Sequence, residues 1–322
     1  MKRYDDIDLS RLPPPAFPVL LSYESIRSER LADLQARLAA AGLPFDAMVY
    51  ESEPLVKVEE AGAYREILVR QRLIDAVRAV MLATSQGADL DNVVADFSLV
   101  RKTIIPANPE TGAAAVMEPD GDLRRRRILA VEALSVAGPE GAYVFHALSA
   151  HPHVSDVGVY GPEAEIEDPE SPGEFLTGDG RVLVVIMSSQ GTGAPTTQVT
   201  DAVTTKLSAK DIRPLTDKVT VRAAAIDEYA LEAVITVGQG PDAETIRLKA
   251  QERVELLVAA LHAVGAPVDL DVVAAALTIF GEDGGPLVRA VSISEPAAPI
   301  AADPLRAPYC TGVTVTVEVE GG

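Results

Sequence analysis

The chain has 322 residues and a net charge of −20, from 28 basic and 48 acidic residues. This length allows two or three domains with cores of their own. The acidity is expected to repel the phosphates of nucleic acids and of anionic membranes, so neither is predicted as a direct partner. No apolar run approaches the roughly 18 residues of a membrane span, and the charged, proline-rich start does not resemble a secretory signal. Cys310 is the only cysteine, which excludes an internal disulfide and predicts a small buried apolar residue.

The first hundred residues are predicted to form an arm followed by a helical region. Residues 1–18 contain four prolines and scattered charges, which is typical of an N-terminal arm that a neighbour must hold in place. A first helix is predicted between residues 22 and 41, since leucines recur on one face before the glycine at position 42. Residues 19–100 are therefore predicted as a helical bundle region.

One long helix dominates this region. Ser52 is predicted to cap it, Pro54 suits its first turn and Gly87 offers a stop. Only Gly62 could break the helix between Leu55 and Thr84, which predicts a rod about 45 Å long. Its apolar residues fall into two stripes divided by charge, whereas a helix that covers one surface needs only one stripe. Two stripes predict two different neighbours. The first stripe is Leu55, Val58, Gly62, Val69, Leu73, Ala76 and Val80; the second is Val56, Ala63, Ile67, Ile74 and Met81; Glu59, Glu66 and Arg70 lie between them.

The rest of the chain alternates between short strands and helices. Residues 101–122 are rich in proline, glycine and alanine without an apolar period, which predicts a linker. The predicted fold class is α+β: the helical bundle region is followed by a middle domain (123–226) and a C-terminal domain (227–322) of mixed α/β layers. A ferredoxin-like arrangement is one candidate for these layers. Strands are predicted at 182–187, 218–225, 229–237, 287–293 and 312–319, and helices at 123–137, 198–207, 243–264 and 270–276.

Three of the four histidines are close together in the sequence. His146, His151 and His153 could in principle supply imidazole ligands to a metal, but Pro152 suits a loop and no further ligand of the right type is evident. Loop or core histidines are the simpler interpretation. No metal site is therefore predicted.

The carboxylate pairs and glycine motifs also have ordinary structural explanations. Adjacent Glu59 and Glu60 point about 100° apart on a helix and cannot act on one substrate, and Asp89 lies where a helix is capped. The glycine turns at 191–195 and 238–241 lack the lysine of a phosphate loop and the third glycine of a dinucleotide fingerprint. No catalytic residue, enzymatic activity or cofactor is predicted.

Residues 51–91 carry a family resemblance. The blocks ESEP, Lys57, AYRE, RQR, AVMLA and GADLD keep their order over about forty residues. Further blocks are RRRRILAVEALSVAGPEGAYVFHALSA, SQGTGAPT, DIRPLTDKVTV and APYCTGVTVT, whereas the linker and the loop FGEDGGP depart from the pattern. In these blocks the chain resembles the baseplate J-like family of P2-like contractile-tailed phages.

The resemblance implies a structural wedge subunit in the baseplate of a contractile phage tail or a phage-tail-like particle. The implied partners are a second copy of the chain, a smaller wedge protein similar to protein I, the sheath initiator, the hub and spike, and tail fibre proteins. Such wedges would form a ring around the central hub. The implied location is the tail baseplate of the virion, assembled in the cytoplasm of the host bacterium.

The resemblance and the two stripes together predict a partner interface on the long helix. The competing functions are a hydrolase or a small-ligand binding module on the α+β half. A hydrolase would need a converging nucleophile, base and orienting group, which the sequence does not show. The predicted interface residues are Glu51, Glu53, Leu55, Val58, Tyr64, Arg65, Glu66, Val69, Arg70, Arg72, Leu73, Val80, Asp89 and Asp91.

Overall fold

The computed structural model describes residues 9, 12, 22–43, 52–135, 137–239, 242–281 and 284–320. The first of two compact units holds the described residues up to 101 together with 119–127, and the second holds 102–118 and those from 128 onwards. Apart from residues 9 and 12, the predicted N-terminal arm lies outside the described residues. None of the described helices is both long enough and apolar enough to cross a membrane.

The first unit is helical. Helix α1 (Tyr23–Ala40) begins where the Ser22 side chain accepts a hydrogen bond from the Ser25 N–H. It is followed by α2 (Pro54–Ala79), α3 (Gly87–Val94) and the first eight residues of α4 (Asp120–Leu129). Each helix buries a narrow apolar face. The fully or nearly fully buried side chains are Ile26, Leu31, Val56, Ala63, Ile74, Leu90, Val94 and Leu123.

Helix α2 is the predicted long helix, and its 26 residues span about 39 Å. It ends earlier than predicted, at Ala79. Ser52 is not its cap: the helix begins after Glu53, which makes no side-chain capping bond, and Pro54 is its first residue. Gly87 does not end α2 but begins α3, with φ +52°, after a turn in which the Thr84 hydroxyl donates to the Arg78 carbonyl (2.7 Å).

The arginine run in the second half of α4 ties that helix to the rest of the first unit. Arg124 donates to the Leu82 carbonyl (3.0 Å), and the nearly buried Arg126 donates to the Val100 carbonyl (2.9 Å). Arg127 pairs with Asp96 at 3.0 Å. Two of these three arginines thus satisfy backbone carbonyls, groups that are costly to leave unpaired when buried.

Residues 101–122 carry regular structure where a linker was predicted. Strands β1 (Thr103–Ile105) and β2 (Val116–Met117) pair as an antiparallel hairpin, and α4 starts at Asp120. The strands have only three and two residues, too few for an alternating pattern to stand out in the sequence. The predicted boundaries of the larger domains stay predictions.

The middle part of the second unit is a three-stranded sheet covered by helices. Its elements are α5 (Glu140–Ala150), β3 (Val154–Tyr160), β4 (Arg181–Ser188), α6 (Thr197–Leu207) and β5 (Lys218–Ala223). The strand order is β3-β4-β5, with β3 antiparallel and β5 parallel to the central β4. Alternate residues of β4 face two different buried clusters, which explains its continuous apolar run.

The C-terminal part is a second sheet of the same size. Its elements are β6 (Ala225–Val237), α7 (Ala243–Leu261), α8 (Leu270–Leu277), β7 (Val288–Glu295) and β8 (Arg306–Val319), in the strand order β7-β6-β8. The α+β class is confirmed, and neither larger sheet follows the ferredoxin-like βαββαβ order. Cys310 on β8 is half-buried, not fully buried as predicted, and its thiol donates to the Gly312 carbonyl.

Candidate assembly surface on the long helix

The two predicted stripes of α2 have different environments. The second stripe is the buried one: Val56 and Ala63 have no exposed surface and Ile74 is 5% exposed. The first stripe faces outwards, with Val58, Val69 and Val80 exposed by 62%, 66% and 71%. We refer to Leu55, Val58, Val69, Leu73, Ala76 and Val80 as the exposed stripe. A chain that leaves such a stripe uncovered on a long helix has a surface suited to another helix.

A row of ion pairs borders one side of the exposed stripe and joins α1 to α2. The Arg30 guanidinium lies 2.8 Å from Glu59 and 3.3 Å from Glu66, and Glu66 also pairs with Arg70 on its own helix. Gly62 makes room for this arrangement, because a Cβ there would lie 2.4 Å from an Arg30 nitrogen. Gly62 therefore belongs to the contact with α1, although the sequence placed it in the first stripe.

Glu60 makes a separate contact with α1, about 100° around the helix from Glu59. It pairs with Lys57 (2.8 Å) and with Arg27 of α1 (3.0 Å). These two cations, Lys57 before Arg27, lower the pKa of Glu60 below its usual value. The carboxylates of Glu59 and Glu60 are thus both used in helix–helix contacts, which is the structural explanation for this pair.

The other side of the exposed stripe is basic. Arg65 and Arg72 are exposed, lie one heptad apart and form no ion pair within the described part of the chain. At about 100° per residue they lie on the opposite side of the stripe from Glu59 and Glu66. The stripe therefore has one edge of paired charges and one edge of arginines that no described residue pairs with, a pattern that coiled coils use to select partners.

Most predicted interface residues fall on this surface, and some do not. Tyr64 is 59% exposed but lies nearly half a turn from the stripe. Asp89 and Asp91 belong to α3, where Asp91 pairs with Arg101 at 2.7 Å. Glu53 precedes the helix, and Glu51 lies outside the described residues. The predicted interface residues on the stripe or its edges are Leu55, Val58, Arg65, Glu66, Val69, Arg70, Arg72, Leu73 and Val80.

Sequence reasoning missed a second exposed apolar surface, on the hairpin. Ile105, Val116 and Met117 are 54%, 49% and 43% exposed. Only the exposure of these side chains reveals the surface, because short apolar runs look the same in a sequence whether they are covered or not.

The histidines do not converge on a ligand site. His151 and His153 have ring centroids 5.3 Å apart, and the backbone N–H of His153 donates to His151 Nδ1 (3.2 Å). His146 is half-buried on α5, and burial, followed by nearby Lys206, lowers its pKa. In the described chain no three His, Cys, Asp or Glu side chains are grouped so that they could hold a metal ion.

One cleft of about 520 Å³ lies in the second unit. Its lining contains no histidine, serine, cysteine or lysine, and its ionisable side chains are all carboxylates. One of its carboxylates, Asp168, is engaged with Arg222 at 2.8 Å. The lining residues are Glu165, Ile166, Glu167, Asp168, Pro169, Pro172, Asp303, Pro304 and Leu305.

Several motifs that carry the family resemblance stabilise turns. The Tyr143 hydroxyl donates to Asp217 (2.7 Å), and burial together with this hydrogen bond raises the pKa of Tyr143. Gly193, at φ +105°, leaves space for the His262 ring, which a Cβ would approach to 2.9 Å. Tyr143 and Gly193 therefore have a packing role.

A long helix with an uncovered apolar stripe and charged edges is typical of a subunit of a larger assembly. Comparison with known proteins agrees with this class. The Baseplate J-like N-terminal domain model matches residues 51–108, and the Baseplate J-like central domain model matches residues 135–223. The chain is also 37% identical over 325 residues to "Baseplate protein J" of Escherichia phage P2, with 98% of each chain covered. The chain belongs to the baseplate J-like family, and its role is a structural one in a phage baseplate.

Proposed function

We propose that the chain is a wedge subunit of a contractile-tail baseplate, and that the exposed stripe of α2 is its bundle interface. The observation that carries the proposal is the stripe itself, which lies within the segment matched by the N-terminal family model. In the assembled particle the stripe contacts a second copy of the chain and a smaller wedge protein. The wedges form a ring around the hub and contact the sheath initiator, spike and tail fibres. Assembly takes place in the host bacterial cytoplasm.

The charged edges favour one orientation of two copies. In a parallel pair of helices the opposite edges meet, so Arg65 and Arg72 of one copy face the edge with Glu59 and Glu66 of the other. In an antiparallel pair the same edges meet, which would place Arg65 and Arg72 against their own counterparts. Like charges at such positions are destabilising, so the edge pattern supports the parallel arrangement.

The stripe can be tested by adding a charge to it. Leu73→Glu is expected to abolish co-purification with the neighbouring tail proteins in co-expression, since a carboxylate buried between helices without a partner is costly. The isolated variant is expected to fold normally, because Leu73 is already 54% exposed. Without partners, the parent chain is expected to self-associate or aggregate through the same stripe.

Leu68→Glu is the matched control, because Leu68 is 47% exposed on the same helix but lies outside the exposed stripe. It is expected to keep co-purification. If both variants assemble as the parent does, or if both fail equally, the stripe is not the interface. A parent chain that is monomeric at micromolar concentration without partners would also contradict the proposal.

A further inference from the structure

The segment that joins the end of α6 to the start of β5, residues 206–218, is a basic loop with an exposed leucine. Leu215 is 99% exposed. Lys206, Lys210 and Lys218 are exposed and form no ion pair with any described residue. The second unit has 12 basic and 30 acidic residues, whereas the basic loop has four basic and two acidic ones. The basic loop is therefore a local positive surface on a strongly acidic unit.

The tip of the basic loop is held in place by the start of α5. Pro214 lies against Gly138, where a Cβ would approach the Pro214 Cγ to 2.5 Å. The Tyr143 hydroxyl donates a hydrogen bond to the Asp217 carboxylate (2.7 Å). Leu215 thus extends from a turn that is tied on both sides. A preordered turn lowers the entropic cost of burying an apolar side chain against a partner.

The cleft of about 520 Å³ has the opposite charge and an apolar wall. Ile166 and Leu305 contribute to this wall, together with prolines. The segment 161–180, which supplies most of the lining, contains seven acidic residues and no basic one. Pockets of this size hold small ligands, so a leucine side chain fits. The lining carboxylates that form no ion pair with a described residue include Glu165 and Glu167.

The basic loop and the cleft lie at opposite ends of β5. The loop runs into the first residue of the strand, Lys218. Near the other end, Arg222 pairs with Asp168 of the cleft (2.8 Å), and just after the strand the Ala225 N–H donates to the carbonyl of Leu305, also of the cleft (2.9 Å). A strand of six residues is about 20 Å long. The tied loop is therefore too far away to fill the cleft of its own chain.

We propose that Leu215 of one copy inserts into the cleft of a second copy, with the lysines of the basic loop facing the cleft carboxylates. Two complementarities on the same chain point to this occupant: positive charge against negative charge, and an exposed leucine against an apolar wall. Because the two surfaces lie at opposite ends of β5, each copy offers its loop to one neighbour and its cleft to another. Head-to-tail contacts of this kind close into a ring when the rotation allows it. The inference rests on the proposed function, since the contact joins neighbouring wedges of the proposed ring.

Cross-linking between two full-length single-cysteine variants tests the contact. Both carry Cys310→Ser, which removes the native thiol, and Leu73→Glu, which disables the exposed stripe. One adds Thr216→Cys beside the leucine, and the other adds Glu165→Cys at the cleft; both positions are exposed, so both variants are expected to fold. A disulfide bridges Cα atoms ~4.4–6.8 Å apart. After mixing and mild oxidation, the mixed dimer is expected to form several-fold faster than in a control mixture.

The control mixture replaces Thr216→Cys by Leu256→Cys, because Leu256 is 67% exposed on α7 and lies outside the basic loop. An equal rate of mixed-dimer formation in the two mixtures would overturn the proposal. Adding Leu215→Glu to the Thr216→Cys variant is expected to reduce the rate to that of the control, because a carboxylate would then face the cleft carboxylates. An unchanged rate would show that the leucine does not enter the cleft and would equally overturn the proposal.

The cross-link and the stripe are measured separately. All cross-linking variants carry Leu73→Glu, so the rate of mixed-dimer formation reports only on the contact between the basic loop and the cleft. Co-purification of the parent chain with the tail proteins reports on the exposed stripe. Failure of the cross-link with normal co-purification overturns the ring contact and leaves the proposed function in place. A rapid cross-link without co-purification supports the ring contact and contradicts the stripe as the bundle interface.

Discussion

At the scale of single residues, Arg30 connects the two long helices of the first unit. Its guanidinium bridges Glu59 and Glu66 on α2 and lies over Gly62, which has no side chain to displace it. Glycine within a helix costs about 1 kcal/mol relative to alanine. The space that Gly62 leaves for Arg30 is the structural explanation for a glycine in the first half of α2.

His146 makes the stability of the second unit depend on pH. Burial lowers its pKa below the usual value near 6.5, so the unfolded chain takes up a proton more readily than the folded chain. The contribution of neutral His146 to the free energy of unfolding is therefore complete above about pH 6.5 and is lost as the pH falls through the lowered pKa. His146→Gln is expected to flatten the decrease in unfolding free energy between pH 7 and 5, as measured by denaturant titration.

Part of the decrease in unfolding free energy should persist in His146→Gln, because burial also lowers the pKa of His151. Carboxylates such as Glu60, whose pKa is also lowered, lose their contribution to stability only at more acidic pH. They therefore do not affect the comparison of the parent with His146→Gln. Parallel pH profiles of the parent and His146→Gln would show that the His146 imidazole does not cause the decrease in unfolding free energy.

At the scale of elements, α2 has one face buried in its own unit and one exposed face, which is the proposed interface. Arg70 lies at the boundary, 29% exposed and paired with Glu66, which also contacts Arg30. Arg70→Ala is expected to change the unfolding free energy of the isolated chain by less than about 1 kcal/mol, because a partly exposed pair contributes little and Arg30 stays in place. It is expected to block wedge assembly, because the Glu66 edge would lose a cation when partner helices cover it.

Arg37→Ala is the matched control for this prediction. It removes an i,i+4 pair with Asp33 on α1, whose side chains are 76% and 60% exposed. Particle yield in a complementation assay is the readout. Normal yield from Arg70→Ala, or an equal loss from Arg37→Ala, would contradict the role assigned to the α2 edge.

At the scale of the whole molecule, the chain passes between its two units at residues 101–102, 118–119 and 127–128. The residues at these passages are tied within their own units: Arg101 pairs with Asp91 and Asp120, and Lys102 pairs with Glu118. The first two joints are therefore short backbone segments between well-held residues, and hinges of this kind absorb large changes at a few positions. The third lies within α4.

Two copies in one asymmetric wedge are expected to adopt two conformers. Each unit should superpose closely between the copies, with the rotation concentrated between Val100 and Arg124, where two of the three passages lie. A reconstruction of the assembled particle provides the measurement. Two copies related by simple symmetry, with identical backbone from 100 to 124, would show that the chain does not use this joint.

The sequence by itself determined those features that local physics specifies. The continuous helix and its two stripes follow from a 3.6-residue period, and the central strand β4 follows from an apolar run too short for a helix. The α+β class and the family resemblance were also readable, because both depend on the order of elements and motifs along the chain.

Only the tertiary structure decided which stripe is covered. The two α2 stripes are similar in composition, and the choice depends on where α1 places Arg27 and Arg30, positions far from α2 in sequence. The hairpin within 101–122 was missed for a related reason: its strands are held by Lys102 and Glu118 at its base, a long-range pair that no local pattern encodes. Local periodicity specifies the helices and strands, whereas burial and ion pairing depend on contacts between residues distant in sequence.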